Sequence, residues 1–252
     1  WGTDVMKFPF KNILFKNILK QNLKQAALVT ATSNTIKEYI HKVVDVPVKV
    51  IPFGVDLNQF KPGPKLPLFS ADTIVISAIK VLDTIYCIDV LIEAFAVLVK
   101  INPRKKLGLL IVGTGRLEQE LKQKAKDLKL EDKIIFTGRV NFADVVAYFN
   151  TTDIFVNLSE YESFGVSVIE ASACEKPVVV TDVGGLKEVV EEGVTGYRIK
   201  VRDVEATVAA IEKFILYPDI ARKMGVNGRK KVEQLFDWNE NVKQMIEAYK
   251  HY

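Results

Sequence analysis

From residue 73 onward, short apolar runs and helix-length amphipathic segments alternate with little else between them. The runs are "TIVISAIK", "LGLLIVGTG", "KIIFTGRV", "DIFVNLS", "PVVVTD" and "GYRIK". A strand buried on both faces reads as a continuous apolar run, and strands separated by helices must cross over to pair in parallel. The pattern therefore predicts an α/β fold, a Rossmann-like doubly wound parallel sheet. With 252 residues, 48% hydrophobic and 26% charged, the chain can bury one large core or two modest ones.

Ahead of those runs the pattern thins. A helix over about 11–26, a strand in "ALVTATS", a helix over about 34–43 and a strand in "VKVIPFGVD" give only two strands, too few for a sheet of usual size. Residues 1–62 thus read as the C-terminal remnant of a second Rossmann-like domain whose beginning is absent. Pro62, Gly63, Pro64 and Pro67 punctuate a boundary near residue 63. The expected organisation is residues 1–62, then 63–238 as a complete domain, then a C-terminal helix within 239–252.

Several function classes are excluded by composition. The longest apolar run, "DVLIEAFAVLV", is broken by Glu93 and is too short to span a bilayer. The two cysteines, Cys87 and Cys174, lack any metal-ligand or disulfide spacing, which fits a reducing, cytoplasmic setting. Of the charges, residues 1–65 hold 10 Lys and Arg against 4 Asp and Glu. The excess gathers on "KFPFKNILFKNILKQNLKQ", where Lys7, Lys11, Lys16, Lys20 and Lys24 are interspersed with Ile13, Leu14, Ile18, Leu19 and Leu23. The simplest reading is a solvated face; the other is peripheral contact with an anionic surface on the inner side of a membrane, or with an anionic acceptor. No nucleic-acid partner is expected.

In open parallel sheets, ligands sit beyond the carboxyl ends of the strands, so the loops there carry the chemistry. "GTGRLE" follows the second run of the large domain. It is half of a dinucleotide fingerprint, without the third glycine, and it suits a turn that starts a helix near Arg116 as well as a phosphate-facing loop. A dehydrogenase reading rests only on it and on the fold class. "ESFGVSVIE" carries more. If a helix starts near Phe164 and Gly165, its free N–H groups and dipole favour a phosphate there, and glycine lets that phosphate approach closely. Glu162 then lies just outside the helix and Glu170 about six residues in, roughly 9 Å along the axis. Two carboxylates straddling an anion site suit a nucleoside diphosphate sugar, with hydroxyls at both ends. The same residues also suit an ordinary helix with one capping and one surface glutamate.

"FVNLSEYESFGVSVIEASACEKPVVVTDVGGLKEVVEEGVTGYRI" closely resembles the E-x7-E region of the retaining glycosyltransferases of family 4, enzymes of two-domain GT-B architecture. The resemblance extends along the chain. "VIPFGVDLNQFKP" resembles that family's interdomain crossing, "DVLIEAFAVL" the first helix of its donor domain, and "MGVNGRKKVEQLFDW" its C-terminal segment.

The resemblance implies a hexosyltransferase that moves a sugar from a nucleotide diphosphate donor to a glycan, lipid or small-molecule acceptor, with retention of anomeric configuration. It implies roles residue by residue. Glu162 would contact hydroxyls of the transferred sugar, Glu170 the ribose, and the backbone amides of Phe164, Gly165 and Val166 the diphosphate. Arg139 and Val140 fall where the family holds the base, and Lys80 matches the basic residue that neutralises the leaving diphosphate. No cofactor is implied. The chain lacks an Asp-x-Asp motif, so no metal is expected. Three positions depart from the family pattern: Ile85 or Tyr86 stands where a second base is usual, Cys87 where a glycine is, and Trp1 where a histidine is. Those departures, with the missing lobe, leave a non-catalytic nucleotide-sugar-binding subunit as the alternative, one that needs a partner for the missing half.

Overall fold

A computed structural model describes residues 2–250, so the Trp1 position lies outside the described residues. The chain runs through α1 (Thr3–Met6), α2 (Ile13–Gln25), β1 (Thr30–Ala31), α3 (Asn34–His41), β2 (Lys49–Val50), β3 (Ile74–Ile79), α4 (Ile88–Ile101), β4 (Leu107–Val112), α5 (Glu118–Asp127) and β5 (Ile134–Phe136). It continues through α6 (Val145–Thr151), β6 (Ile154–Asn157), α7 (Val166–Ala173), β7 (Val178–Thr181), α8 (Leu186–Val189), β8 (Gly196–Ile199), α9 (Val204–Leu216), α10 (Pro218–Leu235) and α11 (Trp238–Tyr249).

All six runs of the large domain become strands of one parallel sheet, in the order β5-β4-β3-β6-β7-β8. Every residue of β4, β6 and β7 is buried, which is why these runs show no alternation in sequence. Helices cover both faces. On one, Leu91, Phe95 and Leu98 of α4 pack with Ile211 and Phe214 of α9 over the sheet. Their spacing of three, four and seven places one stripe of α4 inward. Truncating Phe95, which is fully buried, costs about 3–5 kcal/mol. On the other face, Phe149 of α6, Val168 and Ile169 of α7 and Val232 of α10 close the second half of the core.

Residues 2–50 form a separate layer around Val5, Val29, Ala31, Ile36 and Ile40. Its parallel ladder is shorter than the sequence runs, pairing Thr30 with Lys49 and Ala31 with Val50. The basic helix α2 buries none of its residues, and Ile13 and Leu14 are 72% and 62% exposed. Two contacts tie the segment that follows this layer to the end of the chain. Val55 sits between Phe236 and Trp238, donating to Phe236 O at 2.8 Å and accepting from Trp238 N at 3.1 Å. Asn241 of α11 donates to Pro52 O at 2.7 Å. No helix among the described residues is long and apolar enough to cross a membrane.

Candidate active site

The strand order reverses between β3 and β6, and the crevice beyond their carboxyl ends is where a doubly wound sheet accepts ligands. Lys80 follows β3 directly, and the loop carrying Glu162 follows β6. Across that crevice Lys80 Nζ and Glu162 Oε2 lie 2.6 Å apart. Their side chains are only 15% and 14% exposed, so the pair is largely shielded from solvent, unlike a surface ion pair. Ser159 Oγ, which donates to Asn157 Oδ1 at 2.5 Å, stands 3.4 Å from the same carboxylate oxygen, and the Tyr86 ring lies under the ammonium, its centroid 4.9 Å away. Tyr86, one of the two residues that the resemblance aligned with a second base, thus offers the ammonium a ring face. Burial, with the nearby Glu162 charge, pushes the Tyr86 hydroxyl pKa up, so it stays protonated.

The loop after β6 ends in α7, which starts at Val166, slightly later than the sequence indicates. Gly165 precedes it with φ +110, a conformation that disfavours any side chain. No side chain caps this helix. The positive end of the helix dipole lies at the crevice, with Val168 N already donating to Gly165 O at 2.9 Å and the Val166 and Ser167 amides ahead of it. The Phe164 side chain turns away into the core, edge-on to Phe53 and Phe236, so only its backbone is available to the site. Val166 is 39% exposed. Glu170 lies about 6 Å along the axis from the helix start. Burial pushes its carboxyl up to about 7, against the opposing pull of the Lys80 charge.

Lys80, Glu162, the Phe164–Val166 backbone and Glu170 are thus gathered at one crevice. Arg139 and Val140 follow β5 at the sheet edge, in a loop that reaches back through Gly138 O, which accepts from Gly113 N at 3.0 Å beside Lys80. Arg139 is exposed, while Val140 is part-buried against the core. In "GTGRLE" the glycines have a packing role. A Cβ on Gly113 would stand 2.0 Å from Lys80 O, and Arg116 is engaged by Asp83 at 2.9 Å, so these glycines let the loop close on the segment that carries Lys80. Cys87, where the resemblance placed a glycine, has φ +49 in the left-handed region.

A cleft of about 240 Å³ opens on the outer side of Glu162. Thr3, Met6 and Lys7 form its far wall, and the Lys7 ammonium sits 4.3 Å over the Tyr161 ring. No local pattern shows that Thr3 and Lys7 would face Glu162, a contact across more than 150 positions; only the family resemblance at Trp1 pointed to this end of the chain. Larger hollows lie elsewhere. One of about 630 Å³ is at the amino ends of β3 and β4, the end opposite to where parallel sheets take ligands, and one of about 440 Å³ lies beside β1 and β2.

Residues 65–231 match the family model described as glycosyl transferases group 1. The chain belongs to that family. D-inositol 3-phosphate glycosyltransferase of Saccharomonospora viridis is 30% identical over 215 residues, covering 81% of this chain and 50% of the relative. The chain thus spans about half the length of that curated relative. Sucrose-phosphate synthase of Thermosynechococcus elongatus superposes with a TM-score of 0.86 at 26% identity, over 99% of this chain and 64% of its own. The Anabaena protein HepE, solved in complex with UDP-glucose, gives 0.89 at 23% identity over 100% of this chain and 71% of its own, a likeness of fold. The crevice that carries Lys80 and Glu162 falls inside the matched segment.

Proposed function

We propose that the chain binds a nucleoside diphosphate sugar at this crevice and, as the donor-binding part of a retaining family 4 glycosyltransferase, transfers its sugar to an acceptor. The observation that carries the reading is the shielded Lys80–Glu162 pair facing an uncapped helix start. In this reading the diphosphate lies against the α7 amides and draws the Lys80 ammonium, which stabilises charge as the nucleotide departs. Glu162 is then free to accept from hydroxyls of the sugar. Glu170 accepts from the ribose, and Arg139 and Val140 lie toward the base. The acceptor hydroxyl enters from the cleft bounded by Thr3 and Lys7 and attacks on the face that the diphosphate leaves. The negative charge is met by Lys80 and backbone N–H groups placed before the reaction, the arrangement from which electrostatic catalysis draws its effect.

Calorimetric titration of the chain with UDP-glucose, GDP-mannose and ADP-glucose tests the reading. Saturable binding of at least one is expected, weakened at least tenfold by Lys80→Ala and by Glu170→Ala. Retention is read from the anomeric proton of the product by NMR. Failure of all three donors to bind overturns the proposal.

A further inference from the structure

The first turn of α3 is capped from two directions. Ser33, its own cap residue, accepts from Ile36 N at 3.2 Å. The preceding two amides are taken by a carboxylate about 150 positions away: Glu188 Oε2 accepts from Asn34 N at 2.9 Å and Asn34 Nδ2 at 3.0 Å, and Oε1 from Thr35 N at 2.9 Å and Thr35 Oγ1 at 3.2 Å. Four donors on one carboxylate, at the positive end of a helix, fix both position and direction of approach.

Glu188 belongs to α8, and the turn that leads into α8 also grips the Glu162 loop. Gly185 N donates to Glu162 O at 3.0 Å, and Gly184 lies so close that a Cβ there would stand 1.9 Å from that oxygen. A further bond closes the bracket, with Ser33 Oγ donating to Ser163 O at 2.7 Å. The N-terminal layer is therefore held to the Glu162 loop on both sides, at the residues next to the Lys80 pair.

We propose that Glu188 is a positioning residue: by capping α3 it locks the N-terminal layer against the Glu162 loop and so assembles the cleft between Lys7 and Glu162. It touches neither the Lys80–Glu162 pair nor the α7 amides. Its action on the reacting groups runs through the 184–188 turn. The inference rests on the donor reading for its consequence in catalysis, but its geometric content is independent of it.

Spin labels at Glu38→Cys on α3 and Lys230→Cys on α10, both exposed positions, measure the separation of the two parts, since Cys87 and Cys174 are buried. With Glu188 intact, one narrow distance distribution is expected, with and without UDP-glucose. Glu188→Ala should broaden it toward longer distances with a melting temperature within a few degrees of the parent. Glu188→Gln should recover a narrow distribution in part, because its amide oxygen still accepts from an α3 N–H. UDP-glucose affinity should change less than threefold in either variant. An unchanged distribution in Glu188→Ala overturns the proposal, as does a Glu188→Gln variant no narrower than the alanine. Absence of UDP-glucose binding to the parent chain, with the distance changes intact, counts against the donor reading alone.

Discussion

Glu170→Gln isolates the cost of holding a carboxyl at the base of the α7 site. Burial raises this group from an ordinary 4.5 to about 7, a gap that corresponds to about 3 kcal/mol. The folded state therefore binds the proton more tightly than the unfolded chain does. Below about pH 4.5 the carboxyl is protonated in both states and carries no penalty. As pH rises toward 7 the unfolded chain ionises first, and stability falls until the folded carboxyl ionises too; above that the deficit is constant. Glutamine has the same shape and no proton to lose. The stability of the parent relative to Glu170→Gln should thus decline by about 3 kcal/mol between pH 4.5 and 7.5, or about 6–12 °C in melting temperature for a domain of this size. Thermal melts of both proteins across that range read it directly. A difference that stays flat, or that slopes the other way, refutes the burial argument. A second measurement bears on the ligand. If ribose hydroxyls donate to Glu170, they favour the ionised form, so donor binding at pH 6 should release up to one proton and weaken as pH falls. Calorimetry in two buffers of different ionisation heat counts that proton. Binding without release would remove Glu170 from the ribose.

Two further perturbations test the loops and the core. Gly113→Ala places a Cβ against Lys80 O at a φ of +132 and should cost about 2–4 kcal/mol in urea denaturation, whereas Gly138→Ala, at φ +69 with nothing within 4 Å of the added Cβ, should cost about 1 kcal/mol. Equal costs would mean that the 113–115 loop does not depend on close approach to Lys80. Burial holds the thiols of Cys87 and Cys174 at about 11 and about 12, and only thiolates attack disulfide reagents. Both should stay unreactive at pH 8 in the folded protein and titrate as two equivalents in denaturant; rapid labelling of either one in the native state would contradict the packing.

What the sequence disclosed follows from the range of the interactions involved. Burial of parallel strands on both faces writes continuous apolar runs, so all six strands of the large sheet were legible, down to the loops where a ligand would enter. The Glu162 to Glu170 spacing was legible for a similar reason, because a helix start and two carboxylates lie within nine residues. "GTGRLE" was ambiguous for a local reason: a glycine required by close backbone approach looks the same as one required by a phosphate, and only the fold shows that a Cβ on Gly113 would stand 2.0 Å from Lys80 O. Lys80 was legible as a basic residue at a strand end, but its pairing with Glu162 joins positions 82 apart. The Glu188 cap on α3 had no local signature at all. A carboxylate in a short helix reads as solvated until the fold brings another helix's amides to it, and that long-range contact is what would set the distance between the two walls of the cleft.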